Sequence, residues 1–176
     1  LRLLFTYQMT CPGKKLNFMG NEFAQKQEWS VNHEMNWKLL KDHQHQGIQA
    51  VARDLNHLYN NIPALHQLDF SSEGFAWIDC FDADQSVISY LRRTRDGTFV
   101  VIILNFTPIP HVGYRIGIPV SGIYREIFNS DSTYYGGSNM GNAGRIAATQ
   151  KPWMGLPDSI VITLPPLAGI ILRLEN

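Results

Sequence analysis

Phe99-Val100-Val101-Ile102-Ile103-Leu104 is apolar at every position, and Arg95-Asp96-Gly97 just before it is a turn signal. A short, β-branched, apolar run bounded in this way predicts a central strand with both faces covered. Around it, from Phe75 onward, the hydrophobic period is two. Further candidate strands lie at Phe75–Phe81, Ser86–Arg93, Tyr114–Ile118, Tyr124–Phe128, Ile146–Ala148, Ser159–Leu164 and Gly169–Leu174. Asp82-Ala83-Asp84, Ser121-Gly122 and Gly136-Gly137-Ser138 supply turns between them. Seven or eight short strands over about 100 residues fit an antiparallel β-sandwich, so the fold class is mainly β.

The character changes near residue 66. Before it the pattern is helix, strand, loop, helix. Leu1–Met9 reads as the end of a helix, Cys11-Pro12-Gly13 as a turn, and Lys15–Met19 as a short strand closed by Gly20. A polar loop from Asn21 to about His45 carries Glu22, Glu28, Trp29, Glu34 and Trp37, with one helical turn expected at Trp37–Leu40. Gly47–Asn61 is an amphipathic helix: Ile48, Val51, Ala52, Leu55, Leu58, Tyr59 and Ile62 share one face of a 3.6-residue period, and Pro63 ends it. One strand between helices belongs in a parallel sheet, whose strands are buried among neighbours. No neighbouring strand is available before residue 66. Residues 1–66 are therefore expected to be the tail of an α/β domain whose remainder lies upstream, and residues 67–176 an all-β domain able to fold alone. If that α/β domain is a (β/α)8 barrel, its catalytic groups sit at the C-terminal ends of the strands, which would place Gly20, Asn21 and Glu22 at the mouth of a site.

Lys plus Arg and Asp plus Glu are equal at 15 each. A neutral chain lacks the basic stripe that a nucleic acid needs and the polybasic surface that an anionic membrane needs. No window approaches the roughly 18–20 apolar residues of a membrane span. Cys11 and Cys80 show neither metal spacing nor a disulfide framework, and two reduced thiols fit a cytoplasmic protein. His43 and His45, two apart in a polar loop, are not expected to bind metal. Tyr134-Tyr135-Gly136-Gly137-Ser138 with Asn142-Ala143-Gly144 lacks the strand–helix context of a phosphate loop and reads as a hairpin or a long sandwich loop. Phe75 and Trp77 share a strand face and read as packing or barrel-facing contacts. Trp153, after Pro152, could stack on a sugar, with packing against the sandwich the favoured reading.

The run from Lys14 to Gln25 (KKLNFMGNEFAQ), then Glu28-Trp29 and Trp37-Lys38-Leu39-Leu40, resembles the last barrel strand and following loop of the branching enzymes of the α-amylase superfamily. The resemblance continues in order through Arg53-Asp54-Leu55-Asn56, Pro63-Ala64-Leu65-His66, Gly74-Phe75-Ala76-Trp77-Ile78-Asp79, Asn105-Phe106-Thr107-Pro108, Asn129-Ser130-Asp131, Pro152-Trp153 and Leu164-Pro165-Pro166-Leu167-Ala168. Asn21 stands where that family often has a second Gly, and Met154 where a His is common. The resemblance implies the C-terminal part of a glycosyltransferase that moves α-1,4-glucan segments to form α-1,6 branches in glycogen biosynthesis. It implies α-glucan (glycogen or amylose) and the upstream barrel as partners, and no cofactor. Retaining glycosyl transfer needs two carboxyl groups about 5 Å apart. The family's catalytic carboxylates lie upstream of the resembling stretch, so no residue here inherits a catalytic role. Glu22, Glu28 and Trp29 are the expected substrate-binding residues. A glucan-binding or buttressing β module stays open, as does the tail of a debranching or maltooligosyl-trehalose relative.

Overall fold

The computed structural model describes residues 1–175. Two helices, α1 (Arg2–Thr10) and α2 (His43–Asn61), precede eight strands. The strands are β1 (Phe75–Asp82), β2 (Val87–Arg93), β3 (Phe99–Asn105), β4 (His111–Ile118), β5 (Ile123–Asn129), β6 (Arg145–Ala147), β7 (Asp158–Leu164) and β8 (Ala168–Leu174). All eight strands expected from Phe75 onward form. They make a six-stranded antiparallel sheet in the order β1-β2-β3-β8-β5-β6 and a separate β4–β7 ribbon.

The apolar run at the centre of the sequence is the centre of the sheet. β3 pairs with β2 on one side and β8 on the other, so its backbone groups are satisfied in both directions. Its side chains alternate between two cores. Val101 and Ile103 face the ribbon, where they meet Ile116 and Ile118 of β4 and Ile160 and Ile162 of β7. Val100, Ile102 and Leu104 face the helices, where they meet Phe5, Val51, Ala52 and Leu55. Each fully buried aliphatic side chain contributes about 1.5–3 kcal/mol of transfer free energy, so both faces of β3 hold large shares of the stability.

The amphipathic face read from the sequence is the face that docks. Val51, Ala52, Leu55 and Ile62 are buried, and Ile48, Leu58 and Tyr59 pack at the margin of the same core. The helix begins earlier than its apolar pattern, at His43, because Asp42 caps it: the Asp42 carboxylate accepts from the Gln44 backbone N–H at 2.8 Å.

Lys15–Met19 is a correction. This stretch forms no strand. A strand exists only as a rung of a ladder, and the segment has no ladder partner among the described residues. Leu16 and Phe18 are exposed, and the Lys15 ammonium turns back to the carbonyls of Cys11 and Gly13 just past the end of α1.

A buried polar cluster joins the helical segment to the sheet. Arg92 of β2 is fully buried; it donates to the carbonyls of Thr10 (2.7 Å) and Gly74 (3.2 Å) and pairs with the Asp69 carboxylate. Asp69 also accepts from the Tyr59 hydroxyl at 2.6 Å. Burial, then the bond to Asp69, pushes the Tyr59 phenol up to about 12. Burial also lowers the Lys15 ammonium, with Asp69 at 3.9 Å pulling the other way.

Candidate functional site

Two places could meet a ligand: the loop after Gly20 and a cleft at the ribbon. The loop is built on one anchor. Gly20 takes a left-handed conformation (φ 89°) and starts a single 3-10 turn, Asn21–Phe23, that drives Phe23 into the interior with no exposed surface. The Phe23 carbonyl is hydrogen-bonded to Nδ1 of buried His45 at 2.8 Å, and the Trp37 ring lies 5.1 Å from the Phe23 ring. Gln25 closes the loop by accepting from the Asn36 backbone N–H at 3.0 Å. His45 is thus a fastener in the helix layer, and no group of His, Cys, Asp and Glu that could hold a metal occurs among the described residues.

Of the three expected binding residues, Glu22 is half-buried on the 3-10 turn beside the anchor, while Glu28 and Trp29 are exposed. Trp29 rests edge-on against Phe18 at 5.4 Å, so these two rings form one exposed aromatic pair. No ion pair among the described residues involves Glu22 or Glu28. The structure gathers Phe18 with Trp29 but does not join either carboxylate to them. Trp37, at the start of the helical turn expected at Trp37–Leu40, is 51% exposed, slightly more than Trp29 at 46%. Phe23 occupies the buried place instead. It was missed because a lone Phe in a polar stretch has no periodicity to mark it.

The glycine-rich loop after β5 is a structural loop. Asp131 accepts from the backbone N–H groups of Ser138 (3.0 Å) and Met140 (3.2 Å), folding the loop onto itself. Its Gly137 passes so close to the Asp131 carbonyl that a β-carbon would sit 2.1 Å from it. Tyr135 then reaches α2 and donates to Asp54 at 2.9 Å.

The second place is an open cleft of about 900 Å³ between β1, β4 and the 152–157 turn. Both bordering strands are irregular there: β1 shifts register around Asp79, and β4 between His111 and Tyr114. Bulges of this kind re-aim side chains beside functional sites. One wall is Trp153, 43% exposed, on a turn closed by reciprocal Trp153–Leu156 backbone hydrogen bonds of 3.0 and 2.9 Å. The turn lies tight on β4, because a β-carbon on Gly117 would come within 2.2 Å of the Trp153 carbonyl. Asp82 accepts from the Tyr114 hydroxyl and from Gln85 (3.0 Å), and Arg115 donates to Ser159 (2.7 Å). Burial, then the bond to Asp82, raises the Tyr114 phenol well above its usual value. Sequence reading favoured packing for Trp153 and passed over Asp79, Gln85 and His111; the one signal in the sequence was the proline-flanked turn that carries Trp153.

Among the described residues no helix is long and apolar enough to cross a membrane. Residues 77–175 match the family described as the α-amylase C-terminal all-β domain. The chain is 68% identical over 173 residues to the 1,4-alpha-glucan branching enzyme GlgB of Nitrosomonas europaea, and 69% identical over 172 residues to that of Nitrosomonas eutropha. Each alignment covers 98% of this chain and 24% of the relative, so the chain spans about a quarter of the length of these curated relatives. An α-amylase from H. orenii superposes with a TM-score of 0.63 over 99% of this chain and 35% of its own, at 16% identity, which is a likeness of fold. The paired sheets built on β3 and the family match over more than half the sequence agree: this chain belongs to the α-amylase C-terminal all-β domain family.

Proposed function

We propose that this chain is the C-terminal part of a 1,4-α-glucan branching enzyme, a glycosyltransferase that moves α-1,4-glucan segments to form α-1,6 branches, and that it contributes support and substrate contacts rather than catalytic carboxylates. The observation that carries this reading is the 68% identity over 173 residues to an enzyme of that name. Fold alone leaves far less, as the 16% identity to the H. orenii amylase illustrates. The division into a barrel fragment, 1–66, and an all-β domain, 67–176, belongs to this proposal. So does the placing of Glu22, Glu28 and Trp29 along the glucan groove. An aromatic face stacks on a pyranose ring while neighbouring polar groups take its hydroxyls, and the exposed Trp29–Phe18 pair suits that task. A cytoplasmic location and α-glucan as partner complete it.

The test compares the 176-residue chain with the full-length protein on amylose, following iodine colour and new α-1,6 linkages by proton NMR. The full-length protein is expected to create α-1,6 linkages and the chain alone to leave amylose unchanged. Linkage formation by the chain alone would overturn the non-catalytic reading. A full-length protein that hydrolyses α-1,6 linkages instead of forming them would overturn the branching assignment.

A further inference from the structure

We propose that the Trp153 cleft is a second carbohydrate site, which holds a short α-1,4-glucan segment on the β-sandwich, apart from the loop that carries Glu22, Glu28 and Trp29. This inference rests on the branching-enzyme reading for the identity of the sugar, and on the cleft alone for the existence of the site.

Three features of the cleft select an uncharged polyol. The first is a preformed platform. Trp153 is exposed, yet its backbone is fixed by the Trp153–Leu156 bridge, bracketed by Pro152 and Pro157, and pressed against Gly117. A ring held this way loses little conformational freedom on binding, so stacking is not offset by ordering. The second is charge balance. The cleft contains Asp79, Asp82, His111 and Arg115, but Asp82 is engaged by Tyr114 and Gln85, and Arg115 by Ser159 and Thr149. Two carboxylates, Asp79 and Asp82, face one guanidinium, Arg115, which disfavours an anionic ligand. The third is spare hydrogen-bonding capacity. Asp79 uses one carboxylate oxygen on the Phe81 backbone N–H at 2.9 Å, and Gln85 uses its amide nitrogen on Asp82. The other Asp79 oxygen, the Gln85 carbonyl and Nδ1 of His111, whose Nε2 lies 3.4 Å from the Thr107 hydroxyl, remain for hydroxyls. An apolar plate faced by a few acceptors, in a volume typical of small-ligand sites, matches the two-sided chemistry of a pyranose.

The four tryptophans, Trp29, Trp37, Trp77 and Trp153, carry one indole N–H each, and the resonance lost in Trp153→Phe assigns the one at the cleft. The ¹⁵N-labelled 176-residue chain is titrated with maltoheptaose and, separately, with the β-linked cellohexaose. Maltoheptaose is expected to shift the Trp153 indole saturably. Asp79→Ala should weaken this about tenfold, the loss expected for one hydrogen bond to a charged acceptor. Trp153→Phe, which keeps an aromatic plate, should bind within about threefold of the parent by calorimetry. The melting temperatures of both variants serve as folding controls. A Trp153 indole that stays still under maltoheptaose overturns the site, even if Trp29 responds, and in that case the branching-enzyme reading survives. A Trp153 indole that moves with cellohexaose while maltoheptaose moves no tryptophan overturns the α-glucan assignment. An unchanged affinity in Asp79→Ala overturns the role given to that carboxylate.

Discussion

The two faces of the six-stranded sheet are covered in different ways. On one side lies the β4–β7 ribbon, held by main-chain pairing to itself and by a largely aliphatic contact to the sheet, with Tyr114 and Tyr124 in the same core. On the other lie α1 and α2, which touch the sheet with one apolar face while Leu1, Leu4, Leu16, Phe18 and Trp29 stay exposed in the same N-terminal segment. The ribbon side carries the open cleft beside Trp153 and exposes Val112 and Val161 singly. The helix side is closed inward and apolar outward. A layer's sequence can thus resemble one domain while its stability belongs to another: the core of residues 1–66 is lined largely by β2, β3, β5 and β8.

This contrast can be broken most forcefully at Arg92, whose three partners, Thr10, Asp69 and Gly74, tie the two regions together. Arg92→Met leaves the Asp69 carboxylate buried without its guanidinium and should cost about 3–5 kcal/mol. Chemical denaturation measures it, and a loss under about 1 kcal/mol would mean that the two regions are not energetically joined there. Matched cavities on the two faces come next. Leu55→Ala on the helix side and Ile116→Ala on the ribbon side each remove a fully buried side chain and should each cost about 2–5 kcal/mol. If helices and sheet melt as one unit, calorimetry shows a single transition moved by both. Two transitions, with Leu55→Ala moving only the first, would divide the chain near residue 66 after all.

A smaller effect is expected at Gly47 of α2. Alanine is the better helix former by about 1 kcal/mol, but its β-carbon would lie 2.5 Å from the Tyr135 carbonyl. The clash wins, because backbone is hard to move, and Gly47→Ala should destabilise by about 1–2 kcal/mol net. A stabilised variant would show that the 133–136 turn is loosely held. The smallest stability effects belong to the exposed loop. Trp29→Ala should change stability by less than about 0.5 kcal/mol. Trp37→Ala, which uncovers Phe23, should cost about 1 kcal/mol from the lost ring pair. In the full-length protein Trp29→Ala should weaken activity on long glucan. Spared activity with a lowered melting temperature would make Trp29 a packing residue.

Much of this fold is legible in the sequence for a local reason. Strand and helix positions follow from periodicity, and β3 and the docking face of α2 show the clearest periods. The misread element is Lys15–Met19, whose composition suits a strand but which has no ladder partner among the described residues. The site was less legible. Trp29 is exposed as expected, whereas the exposure of Trp37 hinges on Phe23, a residue that no pattern picks out. The cleft residues Asp79, His111 and Trp153 come from three distant segments, so no spacing announces them.

The sequence by itself determined the eight strands, the amphipathic helix, the turns between them and the ordered blocks that mark the family. These are properties of neighbouring residues, set by backbone geometry and side-chain alternation. Only the tertiary structure decided that β3 lies between β2 and β8, that Arg92 is buried against Asp69 and Thr10, and that the Trp153 turn stands across from Asp79. Those facts depend on which distant surfaces meet, and a contact between far-apart segments leaves no period in the chain to read.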